Sequence, residues 1–186
     1  MKRLLDIVLA CLLIGIFCVP MLIVALMVVF SSKGPVLYWS DRVGRSNEIF
    51  KMPKFRTMRV DTPAVATHLM TDPAAFLTPI GGFLRRSSLD ELPQLFSILK
   101  GDMSFVGPRP ALFNQDDLIQ LRTEYGVHCI TPGLTGWAQV NGRDELPIPE
   151  KVILDAEYLN MQSLRLDLKI LWMTAYKVLH THGVSH

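Results

Sequence analysis

IVLACLLIGIFCVPMLIVALMVVF, residues 7–30, carries no charged side chain from Ile7 to Phe30. An apolar run of that length can enter a bilayer, and it accounts for most of the positive mean hydropathy of +0.28. Pro20 divides the run, removing one backbone donor and crowding the carbonyl four residues earlier, so a sharp bend is expected there. Straight, the segment would extend about 36 Å and cross; divided at Pro20 it becomes legs of roughly 20 and 15 Å, each too short to span. Lys2 and Arg3 precede the run, and Lys33, Arg42 and Arg45 follow it. Basic residues mark the cytoplasmic side, so two basic flanks favour a re-entrant hairpin, with a Pro-kinked spanning helix as the alternative. A cleaved secretory signal fits poorly, because the run exceeds a usual h-region and no small-residue cleavage pattern closes it.

The rest of the 186 residues suffices for one compact unit, giving an expected division into an anchoring helix, 1–30, and a catalytic domain, 31–186, on the water side. With 19 basic against 17 acidic side chains the net charge is only +2, far from that of a nucleic-acid binder. Cys11 and Cys18 lie inside the apolar run and Cys129 stands alone, which suits a reducing compartment. No second stretch approaches membrane-spanning length, which excludes a polytopic transporter.

Outward from the apolar run, Val36–Trp39 and Ile49–Met52 are β-favouring segments around the polar stretch Asp41–Glu48, a predicted hairpin. Helices are predicted after Thr78-Pro79, from Pro93 to Gly101, from Asn114 to Gly126, from Pro149, and from Ser163 onward. The last places Leu164, Leu168, Leu171, Ala175 and Val178 on one stripe, which suits either the lipid interface, with Trp172 as anchor, or the core. The expected class is thus mixed α/β and helix-rich: a Pro-broken re-entrant membrane helix, interfacial amphipathic helices and a small β-hairpin.

Chemistry concentrates in Arg85-Arg86-Ser87-Ser88-Leu89-Asp90-Glu91-Leu92-Pro93-Gln94-Leu95. Ser88 and Glu91 have capping-box spacing, but Pro93 would then fall inside the helix and orphan the Leu89 carbonyl. A helix starting near Pro93 instead leaves Asp90 and Glu91 just before its positive end, where a carboxylate stays ionised. Such an oxygen can attack phosphorus, while its neighbour can hold a divalent cation, with Mg²⁺ the best match to carboxylate and phosphate ligands. Lys54, Arg56, Arg109 and Arg143 lie in Gly- and Pro-punctuated segments and suit phosphate recognition.

Four collinear motifs, Lys54-Phe55-Arg56-Thr57-Met58, Ser88–Gln94, Val106-Gly107-Pro108-Arg109-Pro110 and Pro132–Arg143, resemble the bacterial sugar transferase family, the monotopic phosphoglycosyl transferases. The resemblance implies a two-step reaction at the cytoplasmic face of the bacterial inner membrane. Asp90 would take a sugar phosphate from a UDP-sugar, expelling UMP, and polyprenyl phosphate, such as undecaprenyl phosphate, would then accept it. Glu91 would bind Mg²⁺, and Arg85 and Arg109 would bind phosphate. It implies a minimal form, like the enzymes that begin bacterial glycoprotein glycan assembly, with the bilayer as partner; a homo-oligomer is compatible with it. Val19 stands where the family often has a serine before the proline, which removes a hydroxyl able to satisfy a freed carbonyl. Two rival functions are a membrane-tethered scaffold whose carboxylates only cap a helix, and a metal-dependent phosphohydrolase that uses water as acceptor.

Overall fold

The computed structural model describes residues 1–62, 72–142 and 146–180. Helix α1 spans Lys2–Ser31 with Pro20 inside it, and it is long and apolar enough to cross a membrane. The helical backbone continues through Pro20, so any change of direction there is a bend within one helix, not a gap between two. Leu12, Ile16, Val19, Leu22 and Leu26 are exposed, whereas Asp6, Ala10, Val24 and Val28 are buried. A helix that turns this much apolar surface outward is suited to an apolar surrounding.

Both ends of α1 rest on the remainder of the chain. Near its start, Lys2 Nζ donates to Asp167 Oδ2 at 2.7 Å, the Val106 carbonyl at 2.9 Å and the Tyr158 hydroxyl at 3.1 Å. Asp6 Oδ1 accepts from Ser104 Oγ at 3.1 Å and the Phe105 N–H at 3.0 Å. Near its end, Val24 and Val28 pack with Phe55 and Leu84. Leu84 is fully buried in that cluster, and truncating it to alanine would cost about 2–5 kcal/mol.

The predicted hairpin is present with longer strands: β1, Leu37–Val43, pairs antiparallel with β2, Ile49–Phe55, bringing Tyr38 opposite Lys54. Helix α2, Gly81–Ser87, ends at Ser88, which is left-handed with φ 56° and donates its N–H back to Arg85. Ser88 makes no side-chain cap, so the capping-box alternative is absent. A single 3₁₀ turn, Leu89–Glu91, leads through Pro93 into α3, Gln94–Lys100, which Gly101 stops. Leu95 and Ile98 of α3 are buried, but Phe96 faces out.

A second sheet was not evident from the sequence: β3, Ser104–Val106, pairs parallel with β4, Gly133–Thr135. Three-residue strands carry too little alternation to be recognised. Gly107 and Gly133 explain the contact, because a Cβ on either would collide with the other strand's backbone. Helices α4, Asp116–Glu124, α5, Trp137–Asn141, α6, Ile148–Met161, and α7, Leu164–His180, complete the fold. Leu164, Leu168 and Val178 of the predicted α7 stripe are exposed, while Leu171 packs against the core and Asp167 and Ile170 are buried, so the stripe is divided between the two surroundings.

Candidate active site

β2 runs out at Phe55 beside the 3₁₀ turn that carries the two carboxylates. This sets Lys54 Nζ 2.6 Å from Glu91 Oε1. Arg109, from the loop after β3, places NH2 3.4 Å from the same oxygen. Glu91 is therefore clasped by two cations that the chain delivers from distant segments. Burial works to raise its pKa, but the charges of Lys54 and Arg109 outweigh burial and hold it down to about 2.

Asp90 lies on the same turn and is only 7% exposed. Burial raises its pKa to about 6; Lys54 and Arg85 pull it down, and Glu91 pushes it up. Asp90 is still ionised at neutral pH, as expected ahead of α3, but it is a weaker acid than usual because desolvation exceeds any benefit from a two-turn helix. The pair is thereby differentiated. Glu91 is a fixed anion held by cations, whereas Asp90 is a destabilised one whose basicity suits a nucleophile.

Arg85 projects from α2, its Nε donating to Thr57 Oγ1 at 3.0 Å. Burial lowers its pKa, and the neighbouring Asp90 opposes that shift. Arg56 takes a different place from Lys54, Arg85 and Arg109. Its Nε donates to the Pro35 carbonyl at 2.7 Å and its NH2 to the Ser32 carbonyl at 2.9 Å, so it braces the segment that leaves α1. Arg143 lies outside the described residues.

One participant was missed in the sequence. Arg122 of α4 donates through Nε and NH2 to Asp155 Oδ2 of α6 at 3.0 and 2.7 Å, and through NH1 to the Arg109 carbonyl at 2.8 Å. It thus fixes the backbone from which Arg109 reaches Glu91. The signal was available as opposite charges at core spacing: Arg122 four residues after buried Leu118, and Asp155 three after buried Val152.

Among the described residues no group of three or more His, Cys, Asp or Glu side chains could hold a metal ion by itself. Both cationic contacts to Glu91 end on Oε1. Its carboxylate thus fits a hard cation whose remaining ligands are phosphate oxygens and water, the usual arrangement for Mg²⁺.

The sequence model of the family described as Bacterial sugar transferase matches residues 1–181. The chain belongs to that family. It is 41% identical over 186 residues to the UDP-glucose:undecaprenyl-phosphate glucose-1-phosphate transferase of Escherichia coli K12, covering 95% of this chain and 40% of that protein. It is 37% identical over 199 residues to the undecaprenyl-phosphate galactose phosphotransferase of Salmonella typhimurium, covering 98% of this chain and 41% of the relative. With the uncharacterized sugar transferase EpsL of Bacillus subtilis the identity is 40% over 187 residues, covering 100% of this chain and 90% of the relative. The chain thus spans about two-fifths of the length of the Escherichia and Salmonella sugar transferases.

Proposed function

We propose that this chain transfers a sugar 1-phosphate from a UDP-sugar to polyprenyl phosphate, releasing UMP, with Asp90 as nucleophile. The observation that carries this is the division of labour within the pair: Asp90 is buried and made basic, while Glu91 is anchored by Lys54 and Arg109. A carboxylate oxygen of Asp90 attacks the β-phosphorus, and the bond from that phosphorus to the bridging oxygen breaks. UMP leaves with the electron pair, and the sugar phosphate remains as an aspartyl phosphate. An oxygen of polyprenyl phosphate then attacks the same phosphorus, and the Asp90 carboxylate departs, leaving a diphosphate-linked lipid. Arg85 and Arg109 supply positive charge for the phosphates. Glu91 would hold Mg²⁺, which when bound screens the diphosphate against the anionic nucleophile. The relatives' names, which specify undecaprenyl phosphate and glucose or galactose transfer, support this substrate class.

The site belongs at the cytoplasmic face of the bacterial inner membrane, with α1 re-entrant. Both ends of α1 rest on the same folded body, through Lys2 at one end and Val24 and Val28 at the other. Contacts of both ends with one body support entry and exit on the same side of the bilayer. Trp172, 68% exposed and stacked on Tyr176 at 5.8 Å, continues the exposed side of Leu164 and Leu168 and suits the interface.

Intact-protein mass spectrometry with a UDP-sugar and no acceptor tests the mechanism. An added sugar phosphate on Asp90, discharged by polyprenyl phosphate and absent in Asp90→Asn, is the expected result. An adduct on another residue, or unimpaired turnover by Asp90→Asn, overturns it.

A further inference from the structure

Where α1 stops, the chain turns through Lys33-Gly34-Pro35. Gly34 has φ +125°, and a Cβ there would meet Val60 Cγ2 at 2.7 Å and Arg56 Cζ at 3.4 Å. Only glycine lets this turn close over Arg56. Arg56 is 4% exposed, and while its Nε and NH2 hold carbonyls, NH1 has no acceptor among the described residues. A buried guanidinium with an unused donor favours an anion nearby.

Arg56 forms part of a shallow, open cavity of about 330 Å³ whose other walls, Lys33, Arg59, Val60 and Asp61, are exposed. Arg59 Nε donates to Asp61 Oδ1 at 3.0 Å, so the one carboxylate is offset by one cation, and Lys33 and Arg56 remain in excess. The cavity sits at the end of the apolar helix. If α1 occupies the membrane as proposed above, that end lies at the depth of the lipid phosphates.

We infer that this cavity binds the phosphate of a membrane lipid, at a place separate from the Asp90–Glu91 pair. The phosphodiester of an anionic phospholipid and the phosphomonoester of a polyprenyl chain share the required chemistry. The inference rests on the membrane placement of α1, not on the aspartyl mechanism.

Native mass spectrometry of the full chain in non-ionic detergent would count lipid retained from phosphatidylglycerol, from undecaprenyl phosphate, or from inorganic phosphate as a lipid-free control. Lys33 and Asp61 are exposed, so their substitution should leave the fold intact. Lys33→Glu should lower lipid retention about tenfold. Asp61→Asn, which releases Arg59, should raise it. Preference for phosphatidylglycerol assigns the cavity to a structural lipid, and preference for undecaprenyl phosphate assigns it to the acceptor. Equal retention by all three proteins, shifts of both variants in one direction, or binding of inorganic phosphate but neither lipid would overturn the inference. Vesicle flotation of the same proteins reports membrane entry independently, so a failure of α1 placement is distinguishable from a failure of the cavity.

Discussion

Arg122 and Arg109 are joined by a hydrogen bond of 2.8 Å from one guanidinium to the other's backbone carbonyl. The same guanidinium is paired with buried Asp155. Breaking that pair by Arg122→Met should cost about 3–5 kcal/mol, since an unpaired charge is left inside. The double change Arg122→Met with Asp155→Leu should recover much of that stability. It should not recover turnover, because the Arg109 carbonyl has still lost its donor and its side chain is less well aimed at Glu91. Urea unfolding and UMP release on the same three proteins would check this; parallel recovery of both would show that Arg122 has no role in aiming Arg109.

Asp90 ties stability and activity to one titration. Its pKa stands at about 6 against an ordinary 3.8, so the folded state binds the proton more tightly than the unfolded state. Stability contributed by this group is therefore fully present below pH 3.8 and falls as pH rises through about 6. At neutral pH, Asp90→Asn should be more stable than the natural protein by up to about 3 kcal/mol, and the difference should vanish below about pH 4. kcat/KM should move in the opposite sense, rising with pH through about 6 as the nucleophile ionises. Thermal unfolding and rate profiles across pH 4–8 would reveal an error if the rate midpoint lay near 4.

Loss of Lys54 should shift that rate profile. Its charge lowers the Asp90 pKa, so Lys54→Met should move the midpoint to higher pH in addition to reducing the rate. The same profile measured for Lys54→Arg should restore the midpoint.

The proposed role of Glu91 is tested by metal dependence. Chelation should abolish turnover and Mg²⁺ should restore it, because adjacent carboxylates and a diphosphate concentrate negative charge. Glu91→Gln should lose activity even in excess Mg²⁺ while remaining folded by circular dichroism. Full activity in chelator would sink the assignment.

Topology can be read by labelling. In a protein whose Cys11, Cys18 and Cys129 are replaced by serine, Leu4→Cys and Lys33→Cys should both be protected from an impermeant thiol reagent outside intact cells. Labelling of either from outside would contradict the re-entrant arrangement. Pro20→Leu should increase the fraction that spans.

The local signals that were readable in the sequence share a property: each depends on neighbours within a turn or two. The apolar run gave α1, Pro93 and Gly101 gave the bounds of α3, and the segment around Gly44 gave the hairpin. The conjunction of Lys54 and Arg109 on one oxygen of Glu91 was not readable, since it depends on pairing between segments 37 and 18 residues away. Arg56 looked equivalent to Lys54 two positions earlier on the same motif. It differs because the strand ends between them at Phe55, and Arg56 turns to the carbonyls beyond α1. On α6 the apolar Ile153 is exposed and Asp155 is buried, because a charge with a partner can take a core position.

Lys2 and Asp167 are 165 positions apart and bonded, which sets an order of events for a chain made from its N-terminus. The first turn of α1 emerges well over a hundred residues before the carboxylate and Tyr158 beside it. Until then Lys2 lacks its carboxylate partner, and that end of the helix is held by the Val106 carbonyl and by the bonds of Asp6 to Ser104 and Phe105. Closure of the Lys2–Asp167 contact is a late event with the large sequence separation that slows folding. The N-terminal end of α1 can therefore dock on residues 104–106 first, but the charge of Lys2 is matched only when α7 is in place, and a chain truncated before Asp167 would leave that ammonium without its ion-pair partner.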